Sequence, residues 1–245
     1  MTTLKIHSIE SFGTHDGPGI RLVIFLQGCN LHCQYCHNPD TIEYGIGQER
    51  SIEELVTRAI NMKSYFNNNG GVTVSGGEPL LQVKDLIPFF KRLKTEEIHT
   101  NIDTNGSVFN SDVKHILDLY ADLIMVDIKH VIPENFKSLT GKNLFDSEYR
   151  IIKHREESGK KMWLRYVLVP EVTGKPEYLH KFGEHFKDYK NIERVEILPY
   201  HTMGTKKWES LGWDYELKGV PENTEEQKQE AKNILSQYFN NVKIK

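Results

Sequence analysis

Apolar positions along the chain alternate between two spacings. Short, continuous apolar runs predict strands at residues 21–28 (RLVIFLQG), 72–75, 98–102, 123–128, 162–169 and 195–198. Between them, apolar residues three and four apart predict helices over 51–66, 83–93, 111–120, 147–157, 177–189 and 224–239. Ser51, followed three residues later by Glu54, has the spacing of a capping box at the start of the first helix. Residues 1–19 read as a short strand and a turn-rich stretch, FGTHDGPGI, and residues 42–50 as an irregular connection.

Strands apolar on both faces are the kind that crossover helices bury in a parallel sheet. Six strand–helix units begin at Arg21. A complete eight-unit barrel needs ~250 residues with little waste. The expected fold class is therefore α/β, a partial (β/α)6 TIM-like barrel in a single domain. Residues 1–20 form an N-terminal extension, 21–223 the six units with their connections, and 224–245 a C-terminal helix and tail. A doubly wound sheet is the competing arrangement.

Polar residues bear on that choice. Cys29, Cys33 and Cys36 follow the first of the six strands, Gly76-Gly77-Glu78 the second and Asp103-Thr104-Asn105 the third. Asp127 and Lys129 close the fourth, and His201 the sixth. A doubly wound sheet gathers its site at one switch point, whereas a barrel draws on many strand ends. The spread over five strand ends favours the barrel.

Composition narrows the field. Hydrophobic residues make up 38% and charged residues 27% of 245, which excludes a disordered or collagen-like chain. Net charge is −3 with no basic block, so a large nucleic-acid footprint has no support. No apolar run approaches the ~20 residues of a membrane span, and the N-terminus lacks a signal peptide's apolar region. A cytoplasmic location is expected.

The only three cysteines lie within eight residues, in GCNLHCQYCHN. That is a poor disulfide framework and a good thiolate cluster. Thiolates select zinc or iron–sulfur clusters. Three on one loop suit three irons of a [4Fe–4S] cube, leaving the fourth iron open. Cys3His zinc, completed by His32 or His37, and incidental buried thiols remain alternatives. GGEP and DTNG alone could be ordinary turns, although Asp103 and Thr104 offer oxygen ligands to a hard cation or a substrate ammonium. Asp127 and Arg165 are charges inside apolar strands; Lys129, two residues on, is the local partner of Asp127. Trp163, Phe182 and Phe186 read as core, and the charged runs at 91–94, 153–157 and 225–230 as solvated faces.

Taken together these motifs carry a resemblance. The C-x3-C-x2-C loop with Tyr35 before its last cysteine, and GGE after the next strand, resemble the radical SAM superfamily. DGPGIR at 16–21, F-x-x-G-C at 25–29 and YCHNPD at 35–40 are similar to its glycyl-radical-enzyme activating enzymes. So are DTNG, D-x-K at 127–129, RYVLVP at 165–170 and LPYH-x-x-G at 198–204. The 34 residues from His37 to Gly70 hold no cysteine, so the chain resembles the single-cluster form without a cysteine-rich insert.

The resemblance implies that Cys29, Cys33 and Cys36 hold one [4Fe–4S] cluster whose open iron receives S-adenosylmethionine (SAM), a co-substrate. It implies that Gly76, Gly77 and Glu78 meet the SAM amino group. Asp103, Thr104, Met125 and Asp127 would bind Na+ or K+ beside the SAM carboxylate. Lys129 and Arg165 would face SAM or substrate, and His201 would pack near the adenine. Asp16 would help receive the substrate peptide. Met125 by itself reads as core. No side chain is expected to act as acid or base. The implied partners are the glycine-bearing loop of a formate-lyase acting on pyruvate or a close 2-keto acid, and reduced flavodoxin or ferredoxin as electron donor. Neither nucleic acid nor membrane is expected, and the chain is expected to be a monomer. A radical SAM enzyme acting on a small molecule is the other enzymatic reading, and a zinc-binding module the non-enzymatic one.

Overall fold

The computed structural model describes residues 2–245. Their backbone contacts divide into two units: residues 2–30 with 41–125, and residues 31–40 with 126–245.

The first unit is built on β1 (Thr3–Gly13), β2 (Arg21–Leu26), β3 (Gln48–Ser51), β4 (Gly71–Gly76) and β5 (His99–Thr104). β2, β4 and β5 are parallel neighbours, with Leu22 paired to Val72 and Val72 to Thr100. β1 runs antiparallel to both β2 and β3. The helices are α1 (Ile52–Phe66), α2 (Val83–Thr95) and α3 (Ser111–Leu119). Ser51 starts α1 as expected: its hydroxyl accepts the Glu54 N–H at 3.2 Å. The apolar stripe Leu55, Val56, Ala59, Met62 and Phe66 is buried, as are Leu22, Ile24, Val72, Val74 and Ile102 on the strands. Such packing contributes roughly 1.5–3 kcal/mol per large apolar side chain.

Arg21 is a charged member of that core, wholly buried at the start of β2. It donates to the Thr73 hydroxyl (2.9 Å) and to the carbonyls of Val72 (2.5 Å) and Pro18 (3.3 Å). Burial lowers its pKa to about 9.

The chain passes between the units within β6 (Leu123–Ile128). The second unit continues with α4 (Pro133–Thr140), α5 (Phe145–Glu157), β7 (Met162–Leu168), α6 (Pro176–Phe186), β8 (Ile192–Pro199), α7 (Thr205–Ser210), α8 (Glu225–Leu235) and β9 (Val242–Ile244). β7, β8 and β9 pair in parallel. Phe182 and Phe186 lie 5.2 Å apart between ring centres, and Tyr149 stacks on Phe186 at 5.5 Å. Trp163, Phe182 and Phe186 are buried, as their periodicity suggested.

The hydrogen-bonded order of strands is β3-β1-β2-β4-β5-β6-β7-β8-β9, an open series. The six strands β2, β4, β5, β6, β7 and β8 are the six expected from sequence. Four expectations need correction. Residues 48–50, read as irregular, form β3 together with Ser51, because their backbone pairs with β1 despite a polar sequence. α4, α7 and β9 were not anticipated. The last helix ends at Leu235 rather than near 239. Arg155, in a run read as solvated, is buried, with its Nε donating to the Lys161 carbonyl at 3.1 Å. Among the described residues, no helix is long and apolar enough to cross a membrane.

Candidate active site

In the first unit, the end of β4 crosses tightly over the turn after β2. Gly77 N donates to Leu26 O (2.9 Å), Glu78 N to Gly28 O (2.8 Å) and Cys29 N to Ile42 O (3.0 Å). A Cβ on Gly77 would stand 2.1 Å from the Gly28 carbonyl oxygen, and Gly76 has φ +109°. Both glycines of GGEP are thus required by a close backbone approach.

The Glu78 side chain is wholly buried and fully occupied. It accepts from Leu80 N (2.9 Å), the Thr104 hydroxyl (2.7 Å) and Asn105 N (2.8 Å), tying the end of β4 to the DTNG turn after β5. Burial raises its pKa to about 7 against those three donors. What this corner presents outward is its backbone edge.

The DTNG turn also reaches the first cysteine. Asn105 Nδ2 donates to Cys29 Sγ at 3.6 Å, and the Ser107 hydroxyl to Asn30 Oδ1 at 2.8 Å. Asp103 is nearly buried and accepts from the Ser75 hydroxyl at 2.7 Å. Met125 is wholly buried. Asp16 does not join this strand-end group. Its carbonyl accepts from Thr73 Oγ1 (2.6 Å) and Asn101 Nδ2 (3.1 Å), on the earlier halves of β4 and β5.

In the second unit, residues 31–40 fold onto α4. His32 N donates to Thr140 O (2.9 Å) and Gln34 N to Leu139 O (3.0 Å), satisfying carbonyls left open at the end of that helix. Cys36 N closes a turn onto Cys33 O at 2.9 Å. Cys33 is buried and Cys36 half-buried, and burial pushes the Cys36 thiol up.

Asp127, next to last on β6, bridges two cations. Arg165 Nε donates to its Oδ1 at 2.7 Å and Lys129 Nζ to its Oδ2 at 3.0 Å. Burial alone would raise its carboxyl pKa; the charges of Arg165 and Lys129 outweigh that and hold it well below the usual range. Burial opposes the Lys129 ammonium too, but Asp127 keeps it above its ordinary value. The Lys129 ammonium stands 5.6 Å from the centre of the Tyr35 ring. The Lys129 N–H donates to Oε1 of Glu148 at 3.0 Å, a wholly buried carboxyl on α5. Sequence reading missed Glu148, since nothing in SEYR distinguishes an inward glutamate from a solvated one. His201 stacks on His37 with ring centres 3.9 Å apart, and His37 Nε2 lies 3.2 Å from its carbonyl oxygen. Burial, then His201, lowers the His37 pKa to about 4.

A zinc site would need a histidine beside the thiols. His37 is turned to the His201 carbonyl, and His32 packs against Trp208 and Trp213. Among the described residues, no group of three or more His, Cys, Asp or Glu side chains gathers to hold a single metal ion. A cube needs something different: one thiol per iron, spread around the cluster. Cys29 with an amide N–H on its sulfur suits that ligation, because donors to the sulfurs are a usual feature of such clusters.

Residues 23–183 match the radical SAM superfamily. The chain is 44% identical over 236 residues to a pyruvate formate-lyase-activating enzyme of Clostridium pasteurianum, covering 95% of this chain and 97% of that one. It is 39% identical over 244 residues to the pyruvate formate-lyase 1-activating enzyme of Escherichia coli (strain K12), covering 97% of each. A radical SAM methyltransferase structure from Sphaerobacter thermophilus superposes with a TM-score of 0.65 at 13% identity, over 92% of this chain and 66% of that one. That likeness carries the fold, a partial barrel of the kind the strand pattern predicts. The cysteine spacing, the crossing at Gly77 and these near full-length matches agree, and the chain belongs to the radical SAM superfamily, in the family of pyruvate formate-lyase-activating enzymes.

Proposed function

We propose that this chain installs a glycyl radical in a pyruvate formate-lyase, using one [4Fe–4S] cluster and consuming SAM. The observation that carries this is similarity over nearly the whole length to enzymes of that name, with the cysteine loop included. We take residues 1–245 as one radical SAM domain. When bound, the cluster supplies the electron that splits the SAM sulfonium, and the radical so released takes the α-hydrogen of the glycine.

The chain's own residues bind and orient. Cys29, Cys33 and Cys36 hold three irons. The backbone at Gly76–Glu78 offers carbonyls to the SAM amino group, which explains why the Glu78 side chain is turned inward. Asp103, Thr104, Met125 and Asp127 are assigned to Na+ or K+. Lys129 and Arg165, fixed by Asp127, present positive charge to the SAM carboxylate or the substrate. His201 is assigned to the adenine and Asp16 to the partner peptide. No general acid or base is required. Reduced flavodoxin or ferredoxin is the proposed donor, a monomer the proposed state and the cytoplasm the proposed location.

The test is low-temperature EPR of anaerobically reconstituted, reduced protein, without and with SAM, followed by addition of pyruvate formate-lyase. A [4Fe–4S]+ signal that changes with SAM, then a persistent glycyl radical, is expected; Cys33→Ala should abolish both. Zinc in place of iron, or SAM cleavage that yields a modified small molecule and no protein radical, would overturn the reading.

A further inference from the structure

The segment after β8 is folded back onto the second half of the cysteine loop, within the second unit. Trp208, on α7, is 1% exposed although α7 is a short surface helix. Its indole Nε1 donates to the Cys36 carbonyl at 2.8 Å. The ring is gripped by His32 (5.4 Å), Trp213 (5.9 Å) and Tyr215 (5.6 Å), and His32 also packs on Trp213 at 4.9 Å. The neighbouring Lys207 holds the far end of the same loop, with Nζ 3.1 Å from both Asp40 oxygens and 3.0 Å from Asn38 Oδ1. Four residues before Trp208, Gly204 lies so close to the loop that a Cβ would be 3.0 Å from His37 Cα and 3.2 Å from the Cys36 carbonyl oxygen.

An indole N–H has one use as a donor, and here it is spent on the backbone of a cysteine. A buried donor aimed at that carbonyl fixes the peptide plane next to the thiol and excludes water from it. It also aims the positive end of a dipole at the backbone of a proposed cluster ligand. Hydrogen bonding and solvent exclusion around thiolate ligands set the ease of reduction of iron–sulfur clusters.

We infer that Trp208 is a positioning residue for the cysteine loop, and that its N–H to the Cys36 carbonyl tunes how readily the cluster takes its electron. This rests on the proposed function, because it needs a cluster on Cys29, Cys33 and Cys36. α7 and its neighbours act as a buckle: Gly204 allows close approach, Lys207 pins the Asn38–Asp40 end, and Trp208 sets the Cys36 end.

Trp208→Phe keeps an aromatic ring among His32, Trp213 and Tyr215 but removes the N–H. With iron and sulfide content equal to wild type, the ratio of reduced to oxidised cluster at a fixed redox poise should fall by up to about fivefold, the worth of one neutral hydrogen bond. The EPR g-values should shift as well. Gly204→Ala, at φ −76° and so without backbone strain, pushes on the loop from the other side and should alter the same signal. This second variant serves if Trp208→Phe fails to fold. Variants that hold a full cluster with wild-type poise and g-values would overturn the inference and leave Trp208 a packing residue. Wild-type protein that assembles no cluster would instead overturn the proposed function.

Discussion

Replacing Asp127 with Asn removes a negative charge that Arg165 and Lys129 share. Its two oxygens are shared by Arg165 and Lys129, and the three side chains are 19%, 14% and 9% exposed. Water can therefore do little to replace the lost charge. Removing one member of a buried ion pair typically costs ~3–5 kcal/mol, since the partner is left charged and unpaired. For a domain of this size each kcal/mol shifts Tm by roughly 2–4 °C, so a fall of about 6–20 °C is expected. The assay is thermal and urea unfolding of Asp127→Asn beside wild type at neutral pH. The double variant Asp127→Asn/Arg165→Gln discards one of the two cations that Asp127 paired and should recover part of the loss. A single-variant loss below about 1 kcal/mol, or a double variant less stable than the single, would refute the reasoning.

Other expectations follow from buried groups. Glu78 is raised to about 7 from 4.5, so its ionisation opposes folding: its full contribution is present below the unfolded pKa and lost as pH rises through 7. Urea midpoints at pH 5 and pH 8 should therefore show wild type losing about 3 kcal/mol relative to Glu78→Gln, and parallel pH profiles would contradict this. Burial also raises Glu148 well above its usual range, which favours the neutral acid, and its Oε1 accepts the Lys129 N–H. Glu148→Gln should be tolerated within ~1 kcal/mol and Glu148→Leu should cost about 1–3 kcal/mol more; equal losses on urea titration would rule out the neutral-acceptor role. Gly183→Ala should destabilise, although alanine is the better helix former, because its Cβ would stand 2.1 Å from the Tyr238 ring. The expected loss is about 1–3 kcal/mol by thermal melting, and a gain would show that Tyr238 moves aside freely.

The parts of the fold legible in the sequence were those with a strong apolar period. β2, β4 to β8 and the large helices bury continuous or amphipathic stretches, and their order alone gave the six-unit arrangement. β3 was hidden because Gln48–Ser51 is polar and held by backbone pairing to β1. α4 left a signal that could have been used: Pro133 at its first turn and Gly141 at its end with φ +72°. The motifs placed Cys29, the GGE corner and the Asp127–Lys129 pair correctly on strand ends, but not what each side chain touches. Glu78 is expected at the SAM-facing strand edge, and the inward tie that its side chain makes to Thr104 and Asn105 could not be read from the motif. Asn105 reads as a turn former and also donates to Cys29 Sγ. Arg155, Glu148 and Trp208 could not be found by pattern, because burial of a lone polar or aromatic group depends on partners distant in sequence.

The polar character that hid β3 from sequence reading has a use of its own. β3 stands at one end of the strand series, where unpaired backbone groups would template pairing with another molecule. The strand is only four residues long, Gln48 and Glu49 are exposed, and Arg50 reaches out to Gln48 at 2.7 Å and to Glu54 at 3.0 Å. Short length and charge are how natural sheets keep such edges from sticking. Val or Ile in place of Glu49 and Arg50 would keep the pairing with β1 and turn this border into an adhesive one.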